Sequence, residues 1–439
     1  MSPELTTILM VLSLFILLAG FPIALGVGTV GLVFGLLTSG NAYLYMIPMR
    51  LMGGTLAEYI LAAVPLFIFM GTMMQTSGVA ERAFGVLHKW MGGINGGLGV
   101  ATILLAMLFA ATTGVVGASE TAIGLLAVPA MLNARYSHSL ASGCVCAGGT
   151  LGILIPPSIM LILYAPMAGV SVLQMFAGAI IPGIIMGMSY LVYVIVRCAI
   201  NPSLGPAAGR TERIRFLSKE VLVEGFKYLI PPGLLVFMVL GSIFFGVASP
   251  TEAGAVGSIG SILLSIVYGK FTWEDFKQNC YTTLRVTSMI IFIACAANLY
   301  TGAFLSAGCG QVITDFLLGL GLGSWGIFIT MLIIIFFMGC FIDWIGILLI
   351  VVPIFSPILL NLGFDSLWVG LVICTSLQIS FLTPPFAYSI FYLKGLNLGL
   401  ELKSMYAGIM PFVCLQFITV ILIILFPQLC LWLPKVLGS

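Results

Sequence analysis

Two consecutive proline pairs, Pro156-Pro157 and Pro384-Pro385, stand 228 residues apart in a 439-residue chain that is 61% hydrophobic. Proline removes a backbone donor and clashes with the preceding turn, so each pair breaks a helix and strips peptide groups of their partners. Freed carbonyls at such a break suit a hard cation, and the N–H groups opening the next half-helix suit an anion. Hydroxyl residues crowd the same places: Thr150 and Ser158 flank the first pair, and Ser380 and Thr383 precede the second. Two more segments offer similar chemistry. Thr112 to Ser119 is a run of small, β-branched and hydroxyl residues between apolar stretches, and Gly339 to Gly346 holds Asp343 in otherwise uncharged surroundings. Neutral oxygens and backbone dipoles with few fixed charges make a site for Na⁺ together with a small anion.

Two sodium sites are expected on this basis. One combines Thr112, Thr113, Gly114 and Val115 with Gly152, Ile155 and Pro156; the other combines Gly339, Phe341 and Asp343 with Ser380, Thr383 and Pro384. The substrate's acidic group is expected between them, against Thr113, Ser119, Pro157, Ser158, Thr383 and Pro385. Ionisable residues inside a membrane are functional suspects. Asp343 reads as a cation ligand or proton acceptor, with local helix capping as the competing reading. Glu120 reads as opening the helix after the first tip and complementing its dipole, and Glu58 as interfacial. Ser249-Pro250-Thr251-Glu252 has the pattern of a capping box with proline at the first helical position. The arginines (Arg50, Arg82, Arg135, Arg197, Arg210, Arg213, Arg215 and Arg285) fall at interfaces or in loops, so no guanidinium is expected on the substrate. The ten cysteines lack metal or haem spacing and read as small core residues. His88 and His138 sit in short polar connections and build no catalytic cluster, so no enzyme activity is expected.

The elements that must hold these residues are membrane helices. With 7% charged residues, the chain's long apolar runs are spans, and a net charge of +2 is too small to suggest a nucleic-acid partner. The opening Met1-Ser2-Pro3-Glu4 lacks the basic start of a signal peptide, so 5–20 reads as a retained span. Spans are expected at 5–20, 21–40, 55–77 and 171–199, then at 229–247, 249–268, 286–306 and 405–433. Amphipathic arms are expected at 41–53, 79–93 and 269–284. Broken helices fall at 140–168 and 366–393. Re-entrant hairpins fall at 97–133 and 324–361, because the apolar stretches 97–111 and 120–133 are too short to cross. Pro22 and Pro250, Pro129 and Pro357, and Tyr164 and Tyr392 share the 228-residue offset. Residues 1–200 and 229–439 therefore read as two repeats joined by a linker, 201–228. Each repeat has five crossings, an odd number, so the second is inverted. The basic linker goes to the cytoplasm by the positive-inside rule, and all basic residues but Arg50 and Lys435 follow it there. The expected fold is an all-α integral membrane protein with ten spanning helices, two re-entrant hairpins and both termini periplasmic. Matched interrupted helices in two repeats mark a transporter's binding site.

The run Ala248-Ser249-Pro250-Thr251-Glu252-Ala253-Gly254-Ala255-Val256-Gly257 resembles a signature of the large membrane subunit of TRAP (tripartite ATP-independent periplasmic) transporters. So do Gly149 to Ser158 and Phe381 to Pro385, and hairpins, length and motif order agree over nearly the whole chain. The resemblance implies an elevator-type, sodium-driven importer of a small organic acid anion in the bacterial inner membrane, with an architecture like that of the ion-transporter superfamily. It also implies two partners, a small four-helix membrane subunit and a soluble periplasmic substrate-binding protein. The first tip reads Thr113-Gly114-Val115-Val116 where many members have Ser-Gly-Ser-Ser, and Ala387 stands where glycine is usual. Two alternatives remain open. One is a stand-alone divalent-anion/sodium symporter. The other is the membrane anchor of a respiratory enzyme, whose haem-ligating histidine pair two loop histidines do not supply.

Overall fold

The computed structural model describes residues 2–13, 21–114, 116–207, 219–384 and 387–438, with the backbone alone at Thr113, Ala118, Lys219 and Glu220. Among these residues there are helices and turns and no strand. In hydrocarbon every backbone group must be satisfied within its own segment, and a helix does this. Among the described residues, seven helices are individually long and apolar enough to cross a membrane, Val172–Ile200, Trp273–Ser306 and Leu402–Leu425 among them. Four of the ten expected crossings fall short as single helices. The two broken helices are interrupted, Ile23–Ser39 has 17 residues, and the first span is described only as Pro3–Ser13. Trp344–Asn361, expected as a hairpin arm, is long enough to be counted among the seven.

Both hairpins and both broken helices are present. The first hairpin is Gly97–Thr113 with Val116–Asn133, and the second is Gly323–Gly339 with Trp344–Asn361. The first broken helix is His138–Thr150 with Ile159–Met167, and the second is Ser366–Ser380 with Tyr388–Gly395. Val116–Asn133 and Trp344–Asn361 begin and end 228 residues apart, and His138 and Ser366 open their helices at the same spacing. These elements pack on one another across the two halves. Tyr388–Gly395 lies against Val116–Asn133 and His138–Thr150, while Ile159–Met167 lies against Trp344–Asn361. Val172–Ile200 and Leu402–Leu425 join this body through Ser366–Ser380 and His138–Thr150. A second group combines Ile23–Ser39, Ala63–Thr76, Lys219–Phe244, Pro250–Val267 and Trp273–Ser306, and Val79–Met91 bridges it to Gly97–Thr113. Small residues let its helices approach closely: Gly31 meets the backbone of Tyr300, and the Tyr43 hydroxyl donates to the Leu299 carbonyl at 2.6 Å.

Several expected boundaries move. The arm 269–284 and the span 286–306 are one 34-residue helix, Trp273–Ser306, started by Thr272 accepting from the Asp275 amide at 3.0 Å. It contains no proline, and a change from polar to apolar composition does not end a helix. Lys219–Phe244 begins inside the expected linker, because Gly225 packs on Trp90 and Glu224 pairs with Lys89. Arg210, Arg213 and Arg215 lie outside the described residues. The last span stops at Leu425, and Gln428–Val436 forms a separate helix after Pro427. Cys309–Gly319, which the sequence did not announce, meets Gly323–Gly339 at a 120° bend near Gly321 and Gly323, both at φ 66°.

The basic residues segregate by end. Arg82 donates to the Tyr268 carbonyl, Lys270 lies against Gly78, and Lys89 pairs with Glu224, all near the start of Trp273–Ser306. Arg50 lies against Gly302 near the other end of that helix, which is about 50 Å long at 1.5 Å per residue.

Candidate functional site

The first tip is tighter than expected. Thr112 and Thr113 finish one helix and Val116 opens the next, so the turn narrows to Gly114 and Val115, the latter outside the described residues. Gly114 has φ 58°, the left-handed region that glycine enters without a Cβ penalty. A Cβ there would sit 3.3 Å from the Pro157 carbonyl oxygen and 3.3 Å from Ile159 Cγ1, so the tip rests directly on the first helix break. At that break a short 3₁₀ turn, Leu151–Ile153, follows Thr150, and the Ser158 hydroxyl donates to the Ile153 carbonyl. Gly152, Pro156, Pro157 and Ser158 are buried. The Ile155 side chain turns toward Gly183, leaving only its backbone to the break.

The second tip also packs against its broken helix, through other positions. Gly339 packs so closely on Ser380 that a methyl group would overlap the serine side chain. Asp343 is the N-cap of Trp344–Asn361, its carboxylate accepting from the Ile345 amide at 3.3 Å, so the capping reading holds. Asp343 remains partly exposed, and Phe341 and Pro384 are exposed. Gly339, Ser380, Phe381 and Tyr388 line one narrow crevice. The Ser389 amide donates to the Phe381 carbonyl across the break at 3.3 Å. Pro385 lies outside the described residues.

Most of the expected hydroxyls already donate to backbone carbonyls. Thr112 donates to Phe109 at 2.9 Å, Thr150 to Ala147 at 2.8 Å and Thr383 to Ile379 at 2.8 Å. Their oxygens keep lone pairs for a cation. Ser380 Oγ is buried with no hydrogen-bond partner among the described residues, and Ser119 is buried.

The two halves also meet through two glutamines not singled out from the sequence. Gln378 Nε2 and Gln416 Nε2 both donate to Thr150 Oγ1 at 3.3 Å in a fully buried cluster, and Gln378 follows Thr150 by 228 residues. That offset, applied to Thr150, was the signal that could have found Gln378. The Tyr392 ring lies on Gly117, carrying the second broken helix onto the first hairpin. Glu120 corrects an expectation. It does not open its helix, which starts at Val116, but sits one turn in, fully buried against Gly149, with neither carboxylate oxygen hydrogen-bonded. Ser389 faces it without meeting hydrogen-bond geometry.

Away from the tips, Glu252 forms the expected capping box: its carboxylate accepts from the Ser249 amide at 2.7 Å, and its own amide donates to Ser249 Oγ at 3.3 Å. Glu58 lines a cavity of about 220 Å³ with Thr55, Asn298 and Thr301. None of the described arginines reaches either tip: Arg50 lies against Gly302, Arg82 against Tyr228 and Tyr268, and Arg285 is exposed. Among the described residues no group of three or more His, Cys, Asp or Glu is placed to hold a metal.

Residues 9–429 match the family model for the DctM component of the tripartite ATP-independent periplasmic transporter. The chain is 30% identical to the C4-dicarboxylate TRAP transporter large permease protein DctM of Vibrio cholerae, over 98% of this chain and 97% of that one. It is 27% identical to the sialic acid TRAP transporter large permease protein SiaM of the same organism, over 96% of each chain. It is 28% identical to the ectoine TRAP transporter large permease protein TeaC of Halomonas elongata, over 98% of each. Among solved structures, the Alcanivorax borkumensis YdaH transporter shares the fold, with a TM-score of 0.64 at 14% identity over 97% of this chain and 99% of that one.

Proposed function

Because the chain belongs to the DctM family of tripartite ATP-independent periplasmic transporters, we propose that it imports a small organic acid anion together with sodium. The anion is handed over by a periplasmic binding protein, and the chain works beside a small four-helix membrane subunit in the bacterial inner membrane. The observation that carries this reading is that each hairpin tip is seated on its own broken helix, Gly114 at Pro157 and Gly339 at Ser380. Each seat gathers backbone carbonyls and hydroxyl oxygens of the kind that replace the water shell of Na⁺. The N-termini of Ile159–Met167 and Tyr388–Gly395, with nearby hydroxyls, offer donors to the substrate's acidic group in place of a guanidinium. The relatives named for C4-dicarboxylate, sialic acid and ectoine share the architecture, so the exact substrate rests on side chains lining the tips.

The packing into two groups of helices supports an alternating-access reading. The hairpins and broken helices, carrying Val172–Ile200 and Leu402–Leu425 with them, move as one core against the body built on Trp273–Ser306. This assigns two spans to the core that a scaffold of all remaining helices would include. The halves act as inverted repeats, with the end bearing Arg82 and Lys270 cytoplasmic and both termini periplasmic. Uptake of a radiolabelled dicarboxylate is measured with the complex in proteoliposomes, with sodium or choline outside. Uptake is expected only with sodium and binding protein together. Equal uptake in choline sinks the sodium sites, and full uptake by this chain alone sinks the partner requirement.

A further inference from the structure

A basic recess with aromatic walls lies at the end of the molecule away from Arg50 and from both tips. The guanidinium carbon of Arg82 sits 5.4 Å from the Tyr228 ring centroid and 5.2 Å from that of Tyr268, and Nη2 donates to the Tyr268 carbonyl at 2.9 Å. Lys227 Nζ sits 5.5 Å from the Tyr228 ring centroid, and the Tyr268 hydroxyl donates to the Lys227 carbonyl at 2.9 Å. Two cations are thus fixed around one pair of rings. Among the described residues neither is in a salt bridge, and the nearby Glu224 is taken by Lys89. The recess encloses about 590 Å³, and its remaining walls are Pro231, Leu264 and Val267.

The surroundings identify the occupant. Val267 is 76% exposed and continues into an apolar surface with Leu263, Ile230 and Phe226. Just beyond Tyr268, Trp273 is exposed and stacks on Phe276, as aromatic residues do where bilayer meets water. The two cations therefore stand at headgroup depth, with hydrocarbon-facing walls below them. A free anion would gain from the charges and nothing from those walls. A phospholipid uses both: its phosphate meets Arg82 and Lys227, and its acyl chains run along Leu264 and Val267. We infer that this recess binds an anionic phospholipid of the leaflet facing the basic end of the protein.

The test uses the purified, delipidated complex and native mass spectrometry with phosphatidylglycerol or phosphatidylcholine added. Phosphatidylglycerol should be retained and phosphatidylcholine should not. Each charge removed should weaken retention about fivefold, the worth of one basic residue at a membrane surface. Lys227→Gln alone should therefore lower affinity about fivefold, and adding Arg82→Gln should lower it by about another fivefold. Lys227 is exposed, so its variant keeps the fold even if Arg82→Gln disturbs the tyrosine pair. Lys435→Gln should change nothing. Millimolar inorganic phosphate should leave the lipid bound. Equal retention by Lys227→Gln and the unaltered complex overturns the inference. So does equal binding of phosphatidylcholine, displacement by phosphate, or absence of a retained lipid because the small subunit covers the recess.

Discussion

Asp343 and Glu252 both cap helices, and a substitution that preserves the cap separates charge from structure. Asparagine caps as well as aspartate, so Asp343→Asn should leave Trp344–Asn361 in place while removing the carboxylate at the second tip. Initial uptake is expected to fall about tenfold or more, with a raised sodium requirement. That magnitude corresponds to roughly 1.4 kcal/mol or more, within the range for a lost charged ligand. Glu252→Gln retains the box, which accepts either residue, and should stay within about twofold of the unaltered protein. The opposite ranking, read from uptake against sodium concentration in proteoliposomes, would exchange the two assignments. Ser380→Ala gives a companion test. Its hydroxyl has no partner among the described residues, so thermal stability should hold while the half-saturating sodium concentration rises several-fold. Residue types near the prolines were legible in the sequence, as was the Ser249 capping box. Which hydroxyls already donate to a carbonyl was not, because that depends on a neighbour three to five residues away in folded backbone. Glu120 was misplaced because the first tip was read as eight residues long, when helix resumes at Val116.

Helix breaks were the most legible elements, since Pro156-Pro157 and Pro384-Pro385 leave the backbone no helical route. Hairpin arms were read too short. Thr112, Thr113, Val116 and Ser119 have only moderately unfavourable helix propensities, and a membrane interior rewards the internal hydrogen bonds that extend each arm. The long helix Trp273–Ser306 was divided on polarity alone, while the separate Gln428–Val436 was missed although Pro427 announces it. Seating of tip on break is the element-scale feature open to test. Gly339→Ala must push Gly323–Gly339 away from Ser380. Uptake is expected to drop below about a tenth, with normal membrane insertion, whereas Gly395→Ala, which meets nothing within 4 Å, should transport normally. Normal uptake by Gly339→Ala would show that the close seat is dispensable.

Over the whole molecule, part of the charge pattern is visible in the contacts. The expected grouping of Arg82, Lys89, Lys227 and Lys270 is met by their contacts at one end, with Arg50 toward the other. The division into two bodies was less legible, because nothing in the composition of Val172–Ile200 or Leu402–Leu425 says which neighbours they keep. If the core moves, joining it to the second body must stop transport. Ala297 of Trp273–Ser306 and Leu349 of the second hairpin line the same 220 Å³ cavity. Cysteines at both positions, with Cys280 and Cys414 replaced, should lose uptake when bridged by a bifunctional reagent with a cleavable disulfide spacer and recover it on reduction. Undiminished uptake by the bridged protein would exclude relative motion at that seam. The hydrogen bond between Gln378 and Thr150 carries a further consequence. Under the inverted-repeat arrangement proposed above, each of these residues is the image of the other. Two images that touch must lie on either side of the line that exchanges the halves, with the midpoint of their contact on it. If the core crosses as one body, this contact travels with it unbroken and keeps the two halves paired in both forms.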